Sequence, residues 1–201
     1  MNLNSTPRLR ERLRQAARQA ILEAAEKVFA EDGLQRARME DIASAAGVAV
    51  GTLYNHFRDR DALLAALLDA RREELSERLD AALSEHPRTP VRPRFEAFIH
   101  AALEHFETHR VLWAVVIEEE LHRRRPPRAR PLLAEISSRA ERLVRDAVKD
   151  RALRPEDAEL YPAFLAGVLR AVVRRSLLDG APLAAEAPKV ARFFFEGAQA
   201  R

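Results

Sequence analysis

Met39-Glu-Asp-Ile-Ala-Ser-Ala-Ala-Gly-Val-Ala-Val-Gly-Thr-Leu-Tyr-Asn-His-Phe57 is the stretch on which the reading of this chain turns. Its pattern predicts two short helices, about Met39–Ala46 and Val50–Phe57, on either side of Gly47. Helices that cross steeply after a tight turn need a small residue where their backbones approach, and Ala43 supplies one. They need a residue that tolerates positive φ to stop the first helix, and Gly47 does so. They also need an apolar residue on the second helix to pack back: Leu53, with Ile42, Val48 and Phe57 closing a small core. This is the description of a helix-turn-helix, whose second helix enters the DNA major groove N-terminus first. Alone, Ala-x-x-x-Gly-x-x-x-x-x-Leu is a pattern that many helical hairpins share.

Outward from the motif the chain reads as helix throughout. Apolar residues recur at three and four, no segment alternates, and the 6 glycines leave long uninterrupted runs. A first helix is expected from near Arg8 to Asp32, with Ile21, Ala25, Val28 and Phe29 on one face and Gly33 as its stop. After the motif, Asp59 is a good N-cap for a helix running to Ser84. The cluster Pro87, Pro90 and Pro93 in Glu85–Pro93 marks the clearest break. Further helices are expected from Pro93 through Phe95, Phe98, Ile99, Ala102 and Phe106, then at Arg110–Arg123, Leu132–Arg151, Pro155–Asp179 and Glu186–Ala198. Pro162 predicts either a kink in the penultimate helix or a late start. The fold class is all-α.

Composition narrows the function. The 201 residues are 32% charged and 47% hydrophobic, enough of each for a packed core under a solvated surface. With zero cysteines, disulfide frameworks, thiolate zinc sites, iron–sulfur clusters and cysteine nucleophiles are excluded. Net charge is +3, from 34 Lys+Arg against 31 Asp+Glu, which permits nucleic-acid binding without demanding it. The N-terminal arginines Arg8, Arg10, Arg12, Arg14 and Arg18 precede no apolar signal-peptide core, and no run approaches a membrane span; a cytoplasmic protein is expected. No phosphate loop, nucleophile elbow or dense ligand cluster points to an enzyme, and no cofactor is expected.

Beyond the motif, Ile21-Leu-Glu-Ala-Ala25, Phe29, Gly33, Asp41-Ile-Ala43, Ala46-Gly-Val48, Gly51-Thr-Leu-Tyr54, His56-Phe57 and Arg60-Asp-x-Leu-Leu64 follow one another in order. This segment, Arg18–Leu64, resembles the N-terminal domain of the TetR family of transcriptional regulators. The resemblance implies a three-helix DNA-binding domain (14–73, motif 38–57) joined by a long helix to a C-terminal dimerisation and effector-binding domain (74–201). It implies that Gly51, Thr52, Tyr54 and Asn55 approach bases and backbone, that His56 contacts a phosphate, and that Arg60 stands in for a phosphate-binding lysine. Arg38 and Val50 complete the expected contact set. The chemistry agrees: Gly51 lets backbone approach closely, Thr52 and Tyr54 suit a thymine edge, and Asn55 suits adenine.

Two departures from the family pattern stand out. Ala37 and Arg38 occupy the place of a Ser/Thr cap, and Ala49-Val50 that of a Ser-Lys pair. Both helices of the motif are therefore expected to lack side-chain N-caps, and the reading helix carries no formal charge. Attraction to DNA falls to the flanks: Arg8–Arg18, Arg36, Arg38, Arg58 and Arg60.

In the C-terminal two-thirds, Leu165, Val168, Leu169, Val172, Phe193 and Phe194 are expected at a homodimer interface, with Ala166 and Gly167 allowing close helix approach. Family members pair through their last two helices. Phe98, Ala102, His105, His109, Trp113, Val116 and Ile117, faced by Tyr161 and Phe164, are expected to line an effector pocket. His105 and His109, at i and i+4, could bind a divalent metal, but no third ligand is evident and no metal site is expected. Arg123-Arg-Arg125, Arg128 and Arg130 read as a solvated loop. The expected function is a homodimeric repressor released from a palindromic DNA operator by a small-molecule effector. The alternatives are a DNA-binding regulator without inducer, or an enzymatic C-terminal domain.

Overall fold

The computed structural model describes residues 5–84, 89–123 and 130–198; side chains are described from residue 8, and not for 117–123, 130–133 or 198. The predicted loop Arg124–Pro131, with Arg123, Arg125, Arg128 and Arg130, therefore falls outside the described side chains, as does Ile117. The described residues form nine α-helices, two short 3₁₀ turns and no strand. No described helix is long and apolar enough to cross a membrane. The chain divides into two compact units, Met1–Arg71 and Arg72–Arg201.

The first unit holds α1 (Ser5–Asp32), α2 (Met39–Ala45), α3 (Val50–His56) and the opening of α4 (Arg60–Ser84). α1 stops where predicted: Gly33 adopts φ +79 and its N–H donates to the Phe29 carbonyl at 3.0 Å. Ile21, Ala25 and Phe29 from α1 meet Ile42 and Ala43 from α2, Leu53 from α3, and Leu63 and Leu67 from α4 in a core that excludes water. An ion pair seals one flank, with Arg71 Nε 2.7 Å from Glu26 Oε2 and both side chains largely buried. α4 begins on the predicted cap, where Asp59 Oδ1 accepts from the Ala62 N–H at 2.7 Å. That hydrogen bond, aided by Arg58, holds the Asp59 carboxyl below its ordinary range.

The second unit contains the rest of α4, then α5 (Val91–Thr108), α6 (Arg110–Arg123), α7 (Arg130–Lys149), α8 (Tyr161–Asp179) and α9 (Ala187–Ala198). α5 is its centre. Phe95 stacks on Phe194 at 5.3 Å and meets Phe195 edge-on at 5.1 Å, docking α9. α4 is fastened to α7 by charge: Arg139 reaches both oxygens of Asp80 at 3.1 and 3.2 Å and also pairs with Glu135, which accepts from Arg72 at 3.1 Å. Pro162 resolves as a late start, because α8 begins at Tyr161 after a 3₁₀ turn at Pro155–Asp157. α8 ends at Gly180, φ +74, where Arg110 donates to the carbonyls of Gly180 (3.1 Å), Ser176 (3.3 Å) and Ala181. A guanidinium there satisfies carbonyls that lack helical partners and opposes the negative end of the helix dipole.

α7 stops two residues earlier than its apolar pattern suggests. The Ala152 N–H reaches back to Ala147 and the Arg151 N–H to Val148, a Schellman closure with Arg151, φ +55, in the left-handed position. Arginine there carries no glycine-like signal, so the stop is invisible in the sequence.

Candidate nucleic-acid interface

The helix-turn-helix is closed by a complete Schellman motif. The Gly47 N–H donates to Ser44 at 3.1 Å and the Val48 N–H to Ala43 at 3.0 Å, with Gly47 at φ +67. Below the turn, Ile42, Ala43 and Leu53 are fully buried and Phe57 nearly so. Arg18 sets its guanidinium 5.5 Å from the Phe57 ring, tying α1 to the end of α3. As expected from Arg38 and Ala49, neither α2 nor α3 has a side-chain cap at its N-terminus.

α3 buries only Leu53, which fixes what the other side chains face. Val50, Gly51, Tyr54 and Asn55 are exposed, and Thr52 and His56 partly so. An aromatic ring 46% exposed and a valine 38% exposed on a seven-residue helix make an apolar, hydrogen-bonding surface with no formal charge. Gly51 is informative. Its φ is not positive, and a Cβ built on it would meet nothing within 4 Å. The fold of this chain does not require glycine there, although glycine costs a helix roughly 0.5–1 kcal/mol relative to alanine.

The flanking cations are less free than the sequence suggests. Arg60 donates to the Gln35 carbonyl at 2.7 Å, Arg36 to the Asp32 carbonyl at 2.9 Å, and Arg58 pairs with Asp59 at 2.8 Å. Arg38 stands exposed; its carbonyl accepts from the Ile42 N–H at 3.2 Å, and its side chain caps nothing. Arg60 thus has a structural task, bracing the start of α4 against the turn after α1, in addition to its expected one.

In the second unit, Phe98, Ala102, His105, His109, Trp113, Val116 and Tyr161 are all buried. His105 and His109 lie with ring centroids 4.9 Å apart, and Phe106 meets Trp113 at 5.7 Å. The Trp113 Nε1 is buried without a hydrogen-bond partner among the described residues. Tyr161 and Phe164 set their rings against Phe194 of α9; Tyr161 is buried and Phe164 half exposed. The expected interface set needs correction. Leu165, Leu169 and Phe194 are buried within the chain, which removes them from any surface, whereas Val168 and Val172 are half-buried and Phe193 is exposed. The large apolar side chains left exposed among the described residues of this unit are Val111 of α6, Leu160, Phe164 and Leu178 of the α8 region and Phe193 of α9. Gly167 lies on this outer face, and a Cβ there would also meet nothing within 4 Å.

Comparison with known proteins bears on the first unit most directly. Residues 21–67 match the family model described as bacterial regulatory proteins, tetR family. An uncharacterized HTH-type transcriptional regulator of Bacillus subtilis, YhgD, is 27% identical over 150 residues, covering 70% of this chain and 73% of that protein. The HTH-type transcriptional repressor BepR of Brucella suis is 40% identical over 94 residues, 45% of this chain and 43% of its own. Among solved structures, the transcriptional regulator FadR of Bacillus subtilis, in complex with stearoyl-CoA, shares the fold with a TM-score of 0.76 over 90% of this chain and 99% of its own, at 19% identity.

Proposed function

We propose that this chain, a transcriptional regulator whose N-terminal domain is that of the tetR family of bacterial regulatory proteins, works as a homodimeric repressor that a small-molecule effector releases from its operator. In this reading residues 14–73 are the reading head and 74–201 the dimerising and sensing body. The observation that carries the reading is α3: its outward residues are Val50, Gly51, Tyr54 and Asn55, and its glycine is one the fold does not need. A backbone kept bare without internal reason suits close approach by an external partner. Asn55 supplies an adenine-type amide, Thr52 and Tyr54 supply hydroxyls with apolar carbon, and Arg38, His56 and Arg60 supply backbone contacts.

One such head makes few base contacts, so two are needed. The outer face of α8, with Phe164, Gly167, Val168 and Val172, together with Phe193 of α9, suits isologous pairing with a second copy. Two heads related by a two-fold axis read half-sites about 34 Å, one helical turn, apart. For the sensing step, the aromatic and imidazole set around Trp113 is the proposed effector wall, and the unpartnered Trp113 Nε1 is a donor available to a ligand. Because the FadR neighbour was solved with stearoyl-CoA, long-chain acyl-CoA belongs in the first panel of compounds.

Selection of bound fragments from sheared genomic DNA, followed by anisotropy titrations on the recovered site with the compound panel, tests both halves. A compound that raises the melting temperature and releases DNA supports the proposal. A compound that binds saturably and leaves operator affinity unchanged overturns effector release.

A further inference from the structure

Three side chains of the second unit, two of them the histidines of the proposed effector wall, converge in a way that neither DNA reading nor dimer formation uses. Glu74 comes from α4, His105 from the last turns of α5, and His109 from the residue between α5 and α6. Spacing of four residues puts both imidazoles on one face of the helix, the face that α5 buries with Phe98 and Ala102. His105 is fully buried and His109 nearly so, while the Glu74 side chain keeps 28% of its surface exposed. Glu74 Oε2 lies 3.1 Å from His109 Nε2, and Glu74 Oε1 lies 3.9 Å from His105 Nδ1. One donor atom from each of the three residues lies within 4.8 Å of the others.

The donor atoms lie close enough for a small cation to draw them together. Zinc bonds of about 2.0–2.1 Å in tetrahedral array place donor atoms roughly 3.3 Å apart, close to the 3.1 Å between Glu74 Oε2 and His109 Nε2, so a small inward shift of His105 completes the set. Two neutral imidazoles and one carboxylate are borderline donors that favour zinc-class ions over the all-oxygen shells of calcium and magnesium. The carboxylate is also already oriented. Arg78 holds Glu74 Oε1 at 3.1 Å and reaches toward Glu104 at 3.5 Å, leaving Oε2 turned to His109. Fixing one carboxylate oxygen while the other faces the metal is the task that outer-shell partners perform.

We propose that Glu74, His105 and His109 form a binding site for one zinc-class divalent cation, with the fourth position taken by water or another donor. The sequence discloses the histidine pair but not Glu74, which lies on another helix at no motif spacing. The site stands independently of the DNA-binding proposal, since its ligands all belong to the body.

The test uses the full chain without a histidine tag, stripped with chelator and titrated with cobalt(II), then competed with zinc(II). Visible d–d absorption reports nitrogen and oxygen ligation, and Trp113, the sole tryptophan, sits one helical turn beyond His109 as a quenching reporter. The expected result is one ion per chain, displaced by zinc. Glu74→Gln and His109→Gln should each weaken binding by at least roughly tenfold, while His100→Gln, an exposed histidine on the same helix, should not. Circular dichroism checks that each variant folds; if His109→Gln does not, the part-exposed Glu74→Gln carries the comparison. Absence of one-equivalent binding in the unmodified chain, or equal binding in the Glu74 variant, overturns the proposal and leaves the cluster an ion-paired knot.

Discussion

Replacing Gly51 by alanine separates the needs of the fold from those of the partner. In this chain the second residue of α3 has helical backbone and open space where the methyl would go. Alanine there removes the conformational freedom that glycine loses on folding, worth roughly 0.5–1 kcal/mol. For a chain of this length each kcal/mol moves the melting temperature by about 2–4 °C, so calorimetry should show a rise of about 1–4 °C. DNA affinity should move the other way. A methyl between backbone and base edges forces the helix outward, at a cost comparable to one lost base contact, on the order of 1–3 kcal/mol, or roughly 5- to 150-fold in Kd by anisotropy at fixed salt. A more stable protein with weaker DNA binding is the signature of a residue kept for the partner. A stabilised variant with unchanged affinity would refute the placement of α3 against DNA, and a destabilised one would refute the open space at its Cβ.

Gly167→Leu should leave the helix content of the chain unchanged or slightly improved, since leucine is the better helix former by about 0.8 kcal/mol, yet shift the proposed dimer to monomer in sedimentation equilibrium. Arg110→Ala strips the C-terminus of α8 of its guanidinium, whose acceptors include Ser176 Oγ and three carbonyls; chemical denaturation should show a loss of about 2 kcal/mol. Arg151→Gly relieves a left-handed arginine and should gain about 1 kcal/mol in the same assay.

What the sequence discloses depends on whether the physics is local. The turn at Gly47, the stop at Gly33 and the start at Asp59 are written in single residues whose conformational preference or capping chemistry decides the matter alone, and each lies within a residue or so of expectation. The end of α7 is not: Arg151 has no intrinsic preference for its left-handed φ, which accompanies the hydrogen bonds of Arg151, Ala152 and Leu153 back to α7 and the burial of Leu153. α8 fails differently. It carries apolar residues on both sides, so period alone cannot say that Leu165 and Leu169 face the core while Phe164 and Val168 face outward. The partnership of Glu74 with His105 and His109 is a meeting of separate helices, and no spacing within one helix announces it. Likewise Arg60 is recognisable as a cation by position, whereas its bond to the Gln35 carbonyl exists only once α1 and α4 are packed.

In the proposed function, the exposed face of α3 reads base sequence in two symmetric half-sites. Selection of binding sites from random duplex DNA, run in parallel with the unmodified chain and with Asn55→Ala, tests it most directly. The expected outcome is an inverted repeat with half-site centres about 10 base pairs apart or a multiple of that, and a relaxed preference at the same position of both half-sites in the variant. Recovery of a single unrepeated site, or identical preferences for the two proteins, would contradict it.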